Sequence, residues 1–276
     1  MKYNIAIVGA TGLVGRTMLQ VLAERDFPLN KLMLFASERS AGQSIEYRGQ
    51  NYPVAVLSQE ALLGEDLDFA LFSAGGEVSK RYIPIARRQG ITAIDNSSAW
   101  RLAADVPLIV PEVNSQALTG HTGLVANPNC TTIQAVVPLK ALDDAFGLHR
   151  VAYTTYQSVS GSGYGGIAAL EAGLAGKPHP DYPIADNCLP HIGKILVDGY
   201  TWEEEKMVAE TRKILGNPDL KVTATAVRVP VRHCHCVAIN AEFCRPFELQ
   251  EVFRVLVSAP GVVLRVHYPL PTEVVG

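Results

Sequence analysis

The sequence has few cysteines, no long apolar run and little charge of either sign, and each shortage excludes a class of protein. Its five cysteines are an odd number without a repeating spacing, which argues against a disulfide framework and favours thiols in a reducing compartment. No stretch is apolar over the length that a membrane helix needs, and the first residues lack the apolar region of a signal peptide. We therefore expect a cytoplasmic protein.

The charge balance and the length further limit the classes of protein that fit the sequence. Twenty-four basic and 27 acidic residues give a net charge of -3, which offers no basic surface for nucleic acid or an anionic membrane. The sequence also contains no internal repeat, low-complexity tract or Ser/Pro-rich linker. With 276 residues, 48% of them hydrophobic, the chain is long enough for two closely packed cores.

The first half of the chain alternates short apolar strands with helical stretches, as a parallel sheet requires. A predicted strand over 5–8 leads through a glycine-rich turn into a predicted helix over 16–23. Further strands are predicted over 32–36, 69–73, 91–94 and 108–110. The pattern indicates a doubly wound, Rossmann-like α/β domain, which we place at residues 1–129.

The second half, residues 130–276, reads as an α+β domain in which antiparallel pairing is expected. The predicted strands cover 151–157, 222–231, 237–243 and 262–268, and the predicted helices cover 131–142, 203–215 and 247–257. The helix over 203–215 reads as charged rather than as a core helix, and 161–166 reads as a glycine-rich loop. Four prolines in 176–190 predict a surface excursion or a partner-facing arm.

A phosphate-binding pattern lies at the start of the chain. Gly9, Gly12 and Gly15 stand between a strand and a helix, where the backbone can approach a pyrophosphate and the helix N-terminus supplies donors. The spacing is G-x-x-G-x-x-G rather than G-x-G-x-x-G, and glycines alone can simply mark a turn. The strand before and the helix after favour a dinucleotide cofactor.

The end of the second strand bears on which nicotinamide cofactor is used. An NAD site usually has an acidic residue there for the ribose 2′-hydroxyl. This chain instead offers the hydroxyls of Ser37 and Ser40 and the guanidinium of Arg39, which suit a 2′-phosphate and so favour NADP. Glu38 argues the other way, since NAD is accepted if Glu38 faces the ribose.

Cys130 stands at the predicted start of a helix, directly after the sequence NPN. A thiol in the first turn of a helix meets backbone N–H groups and the positive end of the helix dipole, which favour the thiolate. Cys130 is therefore a candidate nucleophile. The alternative is that it is a small buried hydrophobic residue.

Five motifs occur in the order found in one enzyme family. They are 9–15 (GATGLVG), 95–101 (DNSSAWR), 127–132 (NPNCTT), 156–161 (YQSVSG) and 228–231 (RVPV) with a following histidine at 235. Over essentially its whole length the chain resembles aspartate-semialdehyde dehydrogenase. The resemblance implies NADPH-dependent reductive dephosphorylation of L-aspartyl 4-phosphate, in the biosynthesis of lysine, diaminopimelate, threonine and methionine, by a homodimer or homotetramer.

The resemblance also implies roles for the catalytic residues. A thiolate at Cys130 attacks the acyl phosphate and forms a thioester, which divides one difficult displacement into two steps. His235 is the acid/base partner and is favoured over His233 by its distance from Arg228, although the two would share a face of a strand. Gln157, at a strand end, orients the acyl group or the thiol. A structural histidine and a solvent-facing glutamine are the alternatives.

Substrate recognition requires positive groups for a dianionic molecule. Arg228 lies in an apolar predicted strand, where a guanidinium needs a carboxylate: the substrate's α-carboxylate, or alternatively an internal partner. The resemblance implies that Arg101, Asn129 and Lys206 bind the phosphate. It also implies that Glu203 holds the α-ammonium, although Glu203 and Lys206 could simply form a solvated i,i+3 pair.

The cofactor-binding set that the resemblance implies includes the glycine turn, the end of the second strand and two later loops. Its members are Gly9, Thr11, Gly12, Leu13, Val14, Gly15, Ser37, Arg39, Ser40, Ser73, Gly75, Ser160 and Gly161.

Two features depart from the family pattern. The sequence around the histidine is 232–236 (RHCHC), but adjacent strand residues point to opposite faces, so we predict no metal site. The sequence also stops some dozens of residues before family members do, so we expect a second domain that is incomplete at its C-terminus.

Two other functions remain open from the sequence. A related acyl-phosphate reductase, such as one acting on N-acetylglutamyl phosphate, shares the fold and the thiol chemistry but has less need of Glu203. A catalytically silent regulatory relative is the second alternative. The joint presence of Cys130, Gln157, Arg228 and His235 argues against it.

Overall fold

The computed structural model describes residues 1–40, 42–177 and 179–265. The chain forms two compact units, Met1–Ile109 with Gln116–Pro128 and Val110–Ser115 with Asn129–Gly276. Over the described ranges, no helix is both long and apolar enough to cross a membrane.

The first unit is a doubly wound sheet, which confirms the predicted fold class. Its elements are β1 (Tyr3–Val8), α1 (Leu13–Glu24), β2 (Leu29–Ala36), β3 (Ser44–Tyr47), β4 (Gln50–Val56), α2 (Gln59–Leu63), β5 (Phe69–Phe72), α3 (Gly76–Arg88), β6 (Thr92–Asp95) and β7 (Leu124–Ala126). The described strands run in the order β3-β4-β2-β1-β5-β6-β7, and all neighbours are parallel except β3 and β4. The apolar run at the end of β1 is fully buried, as expected of a strand covered on both faces.

The predicted strand over 108–110 was wrong. Leu108 forms only an isolated bridge with Ala126. The next residues turn into a short helix, α4 (Pro111–Asn114), and the N–H of Val110 donates to the side-chain oxygen of Asn114 rather than to a neighbouring strand. Because proline fixes the first helical residue, the chain leaves the sheet at this point.

The second unit has a three-stranded sheet backed by helices. Its further elements are α5 (Cys130–Phe146), β8 (Leu148–Gln157), α6 (Gly163–Leu174), α7 (Trp202–Leu215), β9 (Lys221–Arg228), β10 (His235–Phe243) and α8 (Leu249–Ser258). In the described sheet β8 is central, antiparallel to β10 and parallel to β9. Leu139, Tyr153 and Met207 join α5, β8 and α7 in one apolar core.

Helix α7 lies where the sequence predicts it, but its predicted character was wrong. Half of its residues are buried, including Glu203, Glu204 and Glu210. Glu204 illustrates how a buried carboxylate is accommodated, since it closes a capping box with Thr201 and accepts the Ala226 N–H at 2.9 Å. Helix α7 is therefore a core helix, although its sequence is rich in charged residues.

Two further local predictions were wrong. The expected glycine-rich loop over 161–166 contains the start of α6, where a Cβ at Gly166 would lie 2.2 Å from the Val159 carbonyl oxygen. That close approach explains the glycine without a loop. Residues 262–265 form no strand, and the rest of the strand predicted over 262–268 lies outside the described residues.

Residues 176–190, apart from 178, are largely irregular, as predicted for a surface excursion. Ile184 packs with Val159 and Leu170 in a small separate cluster. The backbone of Leu189 exchanges two 2.9 Å hydrogen bonds with Arg228, so the segment ends beside β9. A partner-facing role for this segment stays a prediction.

The division into units differs in two places from the predicted boundary between residues 129 and 130. Val110–Ser115 joins the second unit because α4 packs against α5 and α7. Asn129 also belongs to the second unit, where it caps the first turn of α5.

Candidate active site

The glycine turn between β1 and α1 is shaped by close backbone contacts. Gly9 has φ +92°, and a Cβ there would lie 2.5 Å from the carbonyl oxygen of Ser73. A Cβ at Gly15 would lie 2.3 Å from the carbonyl oxygen of Gly9. These glycines are required by the fold of the turn as well as by any ligand.

The turn lies at the switch point of the first sheet. The chain moves outward from β1 to β2 on one side and continues with β5 on the other, so a crevice opens beyond the carboxyl ends of β1 and β5. Two helices begin there, α1 capped by Gly12 and α3 capped by Gly75 at φ +89°. Their N-termini give the crevice positive potential and backbone donors.

A cleft of about 820 Å³ occupies this crevice. Its lining includes Gly9, Thr11 and Gly12 from the turn, Ser37, Glu38 and Arg39 from the end of β2, Ser73 from the end of β5, and Glu77, Arg81 and Tyr82 from α3. Ser40 also contacts the turn, with its Oγ 3.2 Å from Thr11 Oγ1. The cleft has the size and position of a dinucleotide site.

The cleft lining does not by itself separate NADP from NAD. Both Arg39, which suits a 2′-phosphate, and Glu38, which suits a ribose hydroxyl, line it and are exposed. Arg81 is a second cation in the lining, with its guanidinium carbon 5.1 Å from the centre of the Tyr82 ring. Sequence reasoning missed Arg81, since it lies within a helix and far along the chain from the glycine turn.

Arg101 is held within the first unit and is 7% exposed. Its Nη2 donates to the carbonyl oxygen of Asn96 at 3.0 Å, and Asn96 Oδ1 accepts from Asn127 Nδ2 at 2.6 Å. The 95–101 and 127–132 motifs therefore contact each other through Asn96 and Asn127.

Cys130 is the first residue of α5, as the sequence predicts, and its side chain is exposed. Asn129 is the N-cap: its Oδ1 accepts the Thr131 N–H at 2.9 Å and lies 3.9 Å from Cys130 Sγ. The thiol therefore occupies the helix position at which backbone donors and the dipole favour an anion. None of the five cysteines forms a disulfide in the described part of the chain.

Two carboxylates of α7 hold the residue that precedes the thiol. The Asn129 N–H donates to Glu210 Oε2 at 2.6 Å, and Asn129 Nδ2 donates to Glu203 Oε1 at 2.8 Å. Glu203 and Glu210 lie two turns apart and so share one face of the helix. The position of the candidate nucleophile is thereby set by a second helix.

The Glu203–Lys206 pair is buried rather than solvated. Lys206 Nζ lies 2.6 Å from Glu203 Oε2, and the two side chains are 17% and 8% exposed. Burial tends to raise the pKa of Glu203, but the Lys206 ammonium and hydrogen bonds from Asn129 and Gln157 hold it below its ordinary value. Glu203 therefore stays ionised at neutral pH.

Three predicted residues form one row across the second sheet. Gln157, at the end of β8, is in register with Arg228 on β9 and with His235 on β10. Gln157 is 1% exposed, so the solvent-facing alternative was wrong. Its amide bonds Thr155 and Glu203, which connects the row to the residues that position Cys130.

Arg228 is 5% exposed at the end of its strand. Its guanidinium donates to neutral groups: Nη1 donates to the Ser158 carbonyl oxygen at 2.7 Å, and Nη2 donates to Ser162 Oγ at 3.4 Å. A Cβ at Gly161 would lie 2.7 Å from Nη1, so this glycine leaves room for the guanidinium. A buried cation held by neutral groups favours an anionic ligand.

His235 opens β10, and Ser158 holds its ring. The Ser158 N–H donates to Nδ1 at 3.0 Å, and Ser158 Oγ lies 3.1 Å from the same nitrogen. Burial lowers the pKa of His235, and the charge of Arg228 lowers it further, against the opposing effects of the Cys234 carbonyl and Glu203. The ring is therefore neutral at neutral pH.

His233 and His235 do not share a strand face, which corrects the sequence expectation. His233 precedes β10 and is exposed, and Cys234 between them turns the backbone with φ 70°. Only His235 therefore joins the row with Gln157 and Arg228. In the part of the chain that the structure describes, no three His, Cys, Asp or Glu side chains lie close enough to hold a metal.

The predicted cofactor residues divide between the two units. Ser160 and Gly161 lie in the second unit, where Ser160 Oγ is 3.0 Å from Ser158 Oγ, and the others lie in the first. Sequence reasoning missed Ser158 and Glu210, both fully buried. The seven-residue spacing of Glu203 and Glu210 was the available signal for Glu210, whereas nothing local to the sequence marks Ser158.

Two family models match the chain in the order of the two units. The model described as "Semialdehyde dehydrogenase, NAD binding domain" matches residues 4–121. The model described as "Semialdehyde dehydrogenase, dimerisation domain" matches residues 139–276.

Individual proteins resemble the chain over nearly all of its length. The aspartate-semialdehyde dehydrogenase of Aquifex aeolicus is 46% identical over 292 residues, covering 100% of this chain and 86% of that protein. Among solved structures, aspartate semialdehyde dehydrogenase II from Vibrio cholerae complexed with ASA has a TM-score of 0.92 and 42% identity, over 98% of this chain and 83% of that one. Aspartate semialdehyde dehydrogenase with NADP from Candida albicans has a TM-score of 0.73 and 25% identity, over 93% and 76%.

Proposed function

Because this chain belongs to the aspartate-semialdehyde dehydrogenase family, we propose that it makes L-aspartate 4-semialdehyde by NADPH-dependent reductive dephosphorylation of L-aspartyl 4-phosphate. It is an oxidoreductase of amino-acid biosynthesis, on the route to lysine, threonine and methionine. The Vibrio cholerae relative described with ASA, an abbreviation of the semialdehyde's name, supports this substrate.

One observation carries the proposal beyond family membership. Arg228, Gln157 and His235 stand in register at the ends of three neighbouring strands, and Gln157 bonds Glu203, which holds the residue next to Cys130. A nucleophile, an amide, an imidazole and a buried guanidinium are thus joined by short contacts within one unit. These are the groups that acyl transfer through a thioester needs.

In the proposed mechanism Cys130 is the nucleophile. Its sulfur forms a bond to the acyl carbon of aspartyl phosphate, the bond from that carbon to the phosphate oxygen breaks, and phosphate leaves with the electron pair of that bond. The product is a thioester on Cys130. Gln157 orients the acyl group, and His235 controls the proton at its carbonyl oxygen.

In the proposed complex, different charged residues bind different groups of the substrate. Arg228 pairs with the α-carboxylate, because its guanidinium is buried among neutral partners. Glu203, ionised and fixed by Lys206, receives the α-ammonium. Arg101, Asn129 and Lys206 take the phosphate role that the family resemblance implies.

The protein backbone of the first unit is suited to bind a dinucleotide. Gly9 and Gly15 allow the turn to close on itself beside the N-termini of α1 and α3, and Ser73 and Gly75 line the start of α3. Thr11, Gly12, Leu13 and Val14 would hold the pyrophosphate at the start of α1. When bound, the nicotinamide supplies the hydride for reduction of the thioester.

NADP is the cofactor that we propose, in preference to NAD. Arg39 at the end of β2 is a cation beside the hydroxyls of Ser37 and Ser40, a set that suits a 2′-phosphate, and Arg81 is a second cation of the lining. The lining also contains two carboxylates, Glu38 and Glu77. The Candida albicans relative is described with NADP, which supports the same choice.

The match to a dimerisation domain indicates that the protein forms oligomers, and we propose a homodimer or a pair of such dimers. We also propose the cytoplasm as its location, supported by five cysteines that form no disulfide.

The test is an assay of reduced nicotinamide formed from aspartate semialdehyde and phosphate, with NADP and NAD compared. We expect phosphate-dependent reduction that favours NADP. Faster reaction with an N-acetylated semialdehyde would overturn the substrate in favour of an N-acetylglutamyl phosphate reductase. No reaction with either substrate would favour a silent regulatory relative.

A further inference from the structure

Ser158 presents two groups to one ring nitrogen of His235. Its backbone N–H donates to Nδ1 at 3.0 Å and its Oγ lies 3.1 Å from Nδ1. The sheet register explains this contact, since Gln157 is paired with His235 and Ser158 is the next residue. Ser158 is fully buried, and the ring of His235 is half-buried.

A backbone N–H can only donate, so Nδ1 must act as an acceptor in the neutral ring. The single ring hydrogen then lies on Nε2. A neutral His235 therefore offers a hydrogen-bond donor at Nε2 rather than a lone pair.

The charged ring needs a different arrangement. An imidazolium carries hydrogens on both nitrogens, so its Nδ1–H would face the Ser158 N–H. The Ser158 hydroxyl can offset the lost N–H bond by turning, so that it accepts the Nδ1–H and donates its own hydrogen to Ser160 Oγ, 3.0 Å away. One proton is added to Nδ1 and the hydroxyl hydrogens only rotate, so no other group is ionised.

Charged groups on the neighbouring elements act on the ring in opposite directions. Arg228 on β9 disfavours the imidazolium, and Glu203 on α7 favours it. The Cys234 carbonyl also favours the charged form, while burial opposes it and leaves the pKa of His235 lowered. An acceptor at Nδ1 also favours the charged ring, so we expect its removal to lower the pKa of His235 further.

We infer that Ser158 is a positioning residue that fixes His235 as the Nε2–H tautomer and whose hydroxyl accepts the second ring hydrogen when the imidazole is protonated. The inference rests on the proposed function only in giving His235 a catalytic role. It implies that neutral His235 meets the substrate's carbonyl oxygen as a hydrogen-bond donor.

The tautomer can be read directly by nitrogen NMR of protein labelled with ¹⁵N-histidine. The chain has seven histidines, and the spectrum of His235→Asn identifies the signals of His235 by their loss. Above the ring's titration we expect a protonated Nε2 and an unprotonated Nδ1. A protonated Nδ1 would overturn the inference.

The hydroxyl is tested by Ser158→Ala, which keeps the backbone N–H. The tautomer should persist, but the charged ring loses its acceptor, so the midpoint of the His235 titration should fall by about 0.5 to 1 pH unit. Ser162→Ala is the matched control, because it removes a hydroxyl of the same loop that faces Arg228 instead, and it should leave the midpoint unchanged. An unchanged midpoint in Ser158→Ala, or an equal fall in Ser162→Ala, would overturn the role of the hydroxyl.

Activity separates this inference from the proposed function. If His235 acts neutral in turnover, the acid limb of kcat/KM against pH should move down in Ser158→Ala by the same amount as the NMR midpoint. The NMR result needs no turnover. A protein that is inactive on aspartate semialdehyde but shows the Nε2–H tautomer would therefore contradict the proposed function and support the assigned tautomer. An active enzyme with the Nδ1–H tautomer would support the proposed function and overturn the inference about Ser158.

Discussion

The two units form their functional regions from different parts of the chain. In the first unit, the cleft beside β1 and β5 is shaped by backbone, and Gly9 and Gly15 are positions where a side chain would strike a carbonyl oxygen. In the second unit, the region around Cys130 is made of buried polar side chains such as Glu203 and Gln157. The cleft of the first unit therefore depends on positions that carry no side chain. The region around Cys130 depends on the charge and hydrogen bonding of its side chains.

This difference determines how each region should respond to substitution. A backbone site fails when volume is added at a glycine and tolerates changes of charge around it. A site of buried polar side chains fails when one partner is removed, since the group left behind is desolvated without compensation. The predictions below test this contrast.

Cys130→Ala should have the largest effect. Because the thiol is the proposed nucleophile, we expect kcat to fall on the order of 10³-fold or more. The side chain is exposed, so the free energy of unfolding should change little. Steady-state kinetics and denaturant unfolding measure the two effects.

Cys188→Ala is the matched control, because this cysteine is also exposed but lies in the irregular segment 179–190. It should keep activity close to that of the parent. A Cys130→Ala enzyme as active as Cys188→Ala would show that Cys130 is not the nucleophile.

Glu203→Gln should have the next largest effect, on stability. The substitution keeps an oxygen for Asn129 Nδ2 but leaves the Lys206 ammonium without its buried partner. We expect the free energy of unfolding at pH 7 to fall by about 2 to 4 kcal/mol. Glu77→Gln breaks an exposed pair of the same i,i+3 spacing with Lys80, and should cost less than about 0.5 kcal/mol.

The same variant has a defined pH dependence. Because the folded pKa of Glu203 lies below its ordinary value of 4.5, its ionisation stabilises the fold fully above that pH. The stabilisation is lost as the pH falls through the folded pKa. Unfolding curves of parent and variant should therefore converge below about pH 4.5, and a constant difference at all pH values would contradict the assigned charge.

The sequence predicts the first unit better than the second for a physical reason. Buried parallel strands and a glycine turn are local patterns, so β1, α1, β2, β5 and β6 could be placed from short windows of sequence. The edge strand β3 and its neighbour β4 were not predicted, because exposed residues interrupt their apolar ones and weaken the apolar signal. The residues 108–110 are apolar like a strand, but Pro111 ends the sheet pairing there.

The candidate site could be only partly predicted. The position of Cys130 at a helix start follows from the local sequence, but its contacts depend on Glu203 and Glu210, which come from a helix some 70 to 80 residues away along the chain. Burial of these carboxylates is decided by tertiary partners that no local pattern records. Ser158 was missed for the same reason, since its significance depends on the pairing of β8 with β10.

Gly15→Ala should damage the backbone site without changing any charge. Its Cβ would lie 2.3 Å from the carbonyl oxygen of Gly9, so the turn must shift, at a cost of about 1 to 3 kcal/mol in stability. The shift should weaken NADP binding about tenfold or more. Thermal unfolding and titration with NADP measure these effects.

Gly165→Ala is the matched control within α6. A Cβ there meets no described atom within 4 Å, so alanine should stabilise the helix by about 0.5 to 1 kcal/mol. Equal destabilisation by both substitutions would show that crowding at Gly15 is not what constrains the turn.

Arg39→Ala should have the smallest effect, on cofactor choice. The guanidinium is exposed, and in the proposed NADP complex it would make a partly screened contact with the 2′-phosphate, so the ratio of kcat/KM for NADP to that for NAD should fall by about tenfold. Arg88→Ala, at an exposed arginine of the same unit outside the cleft lining, should leave the ratio unchanged. If the ratio is unchanged in Arg39→Ala but rises in Glu38→Gln, the Glu38 carboxylate rather than the Arg39 guanidinium determines the choice of cofactor. The cleft would then depend on side-chain charge, as the region around Cys130 does.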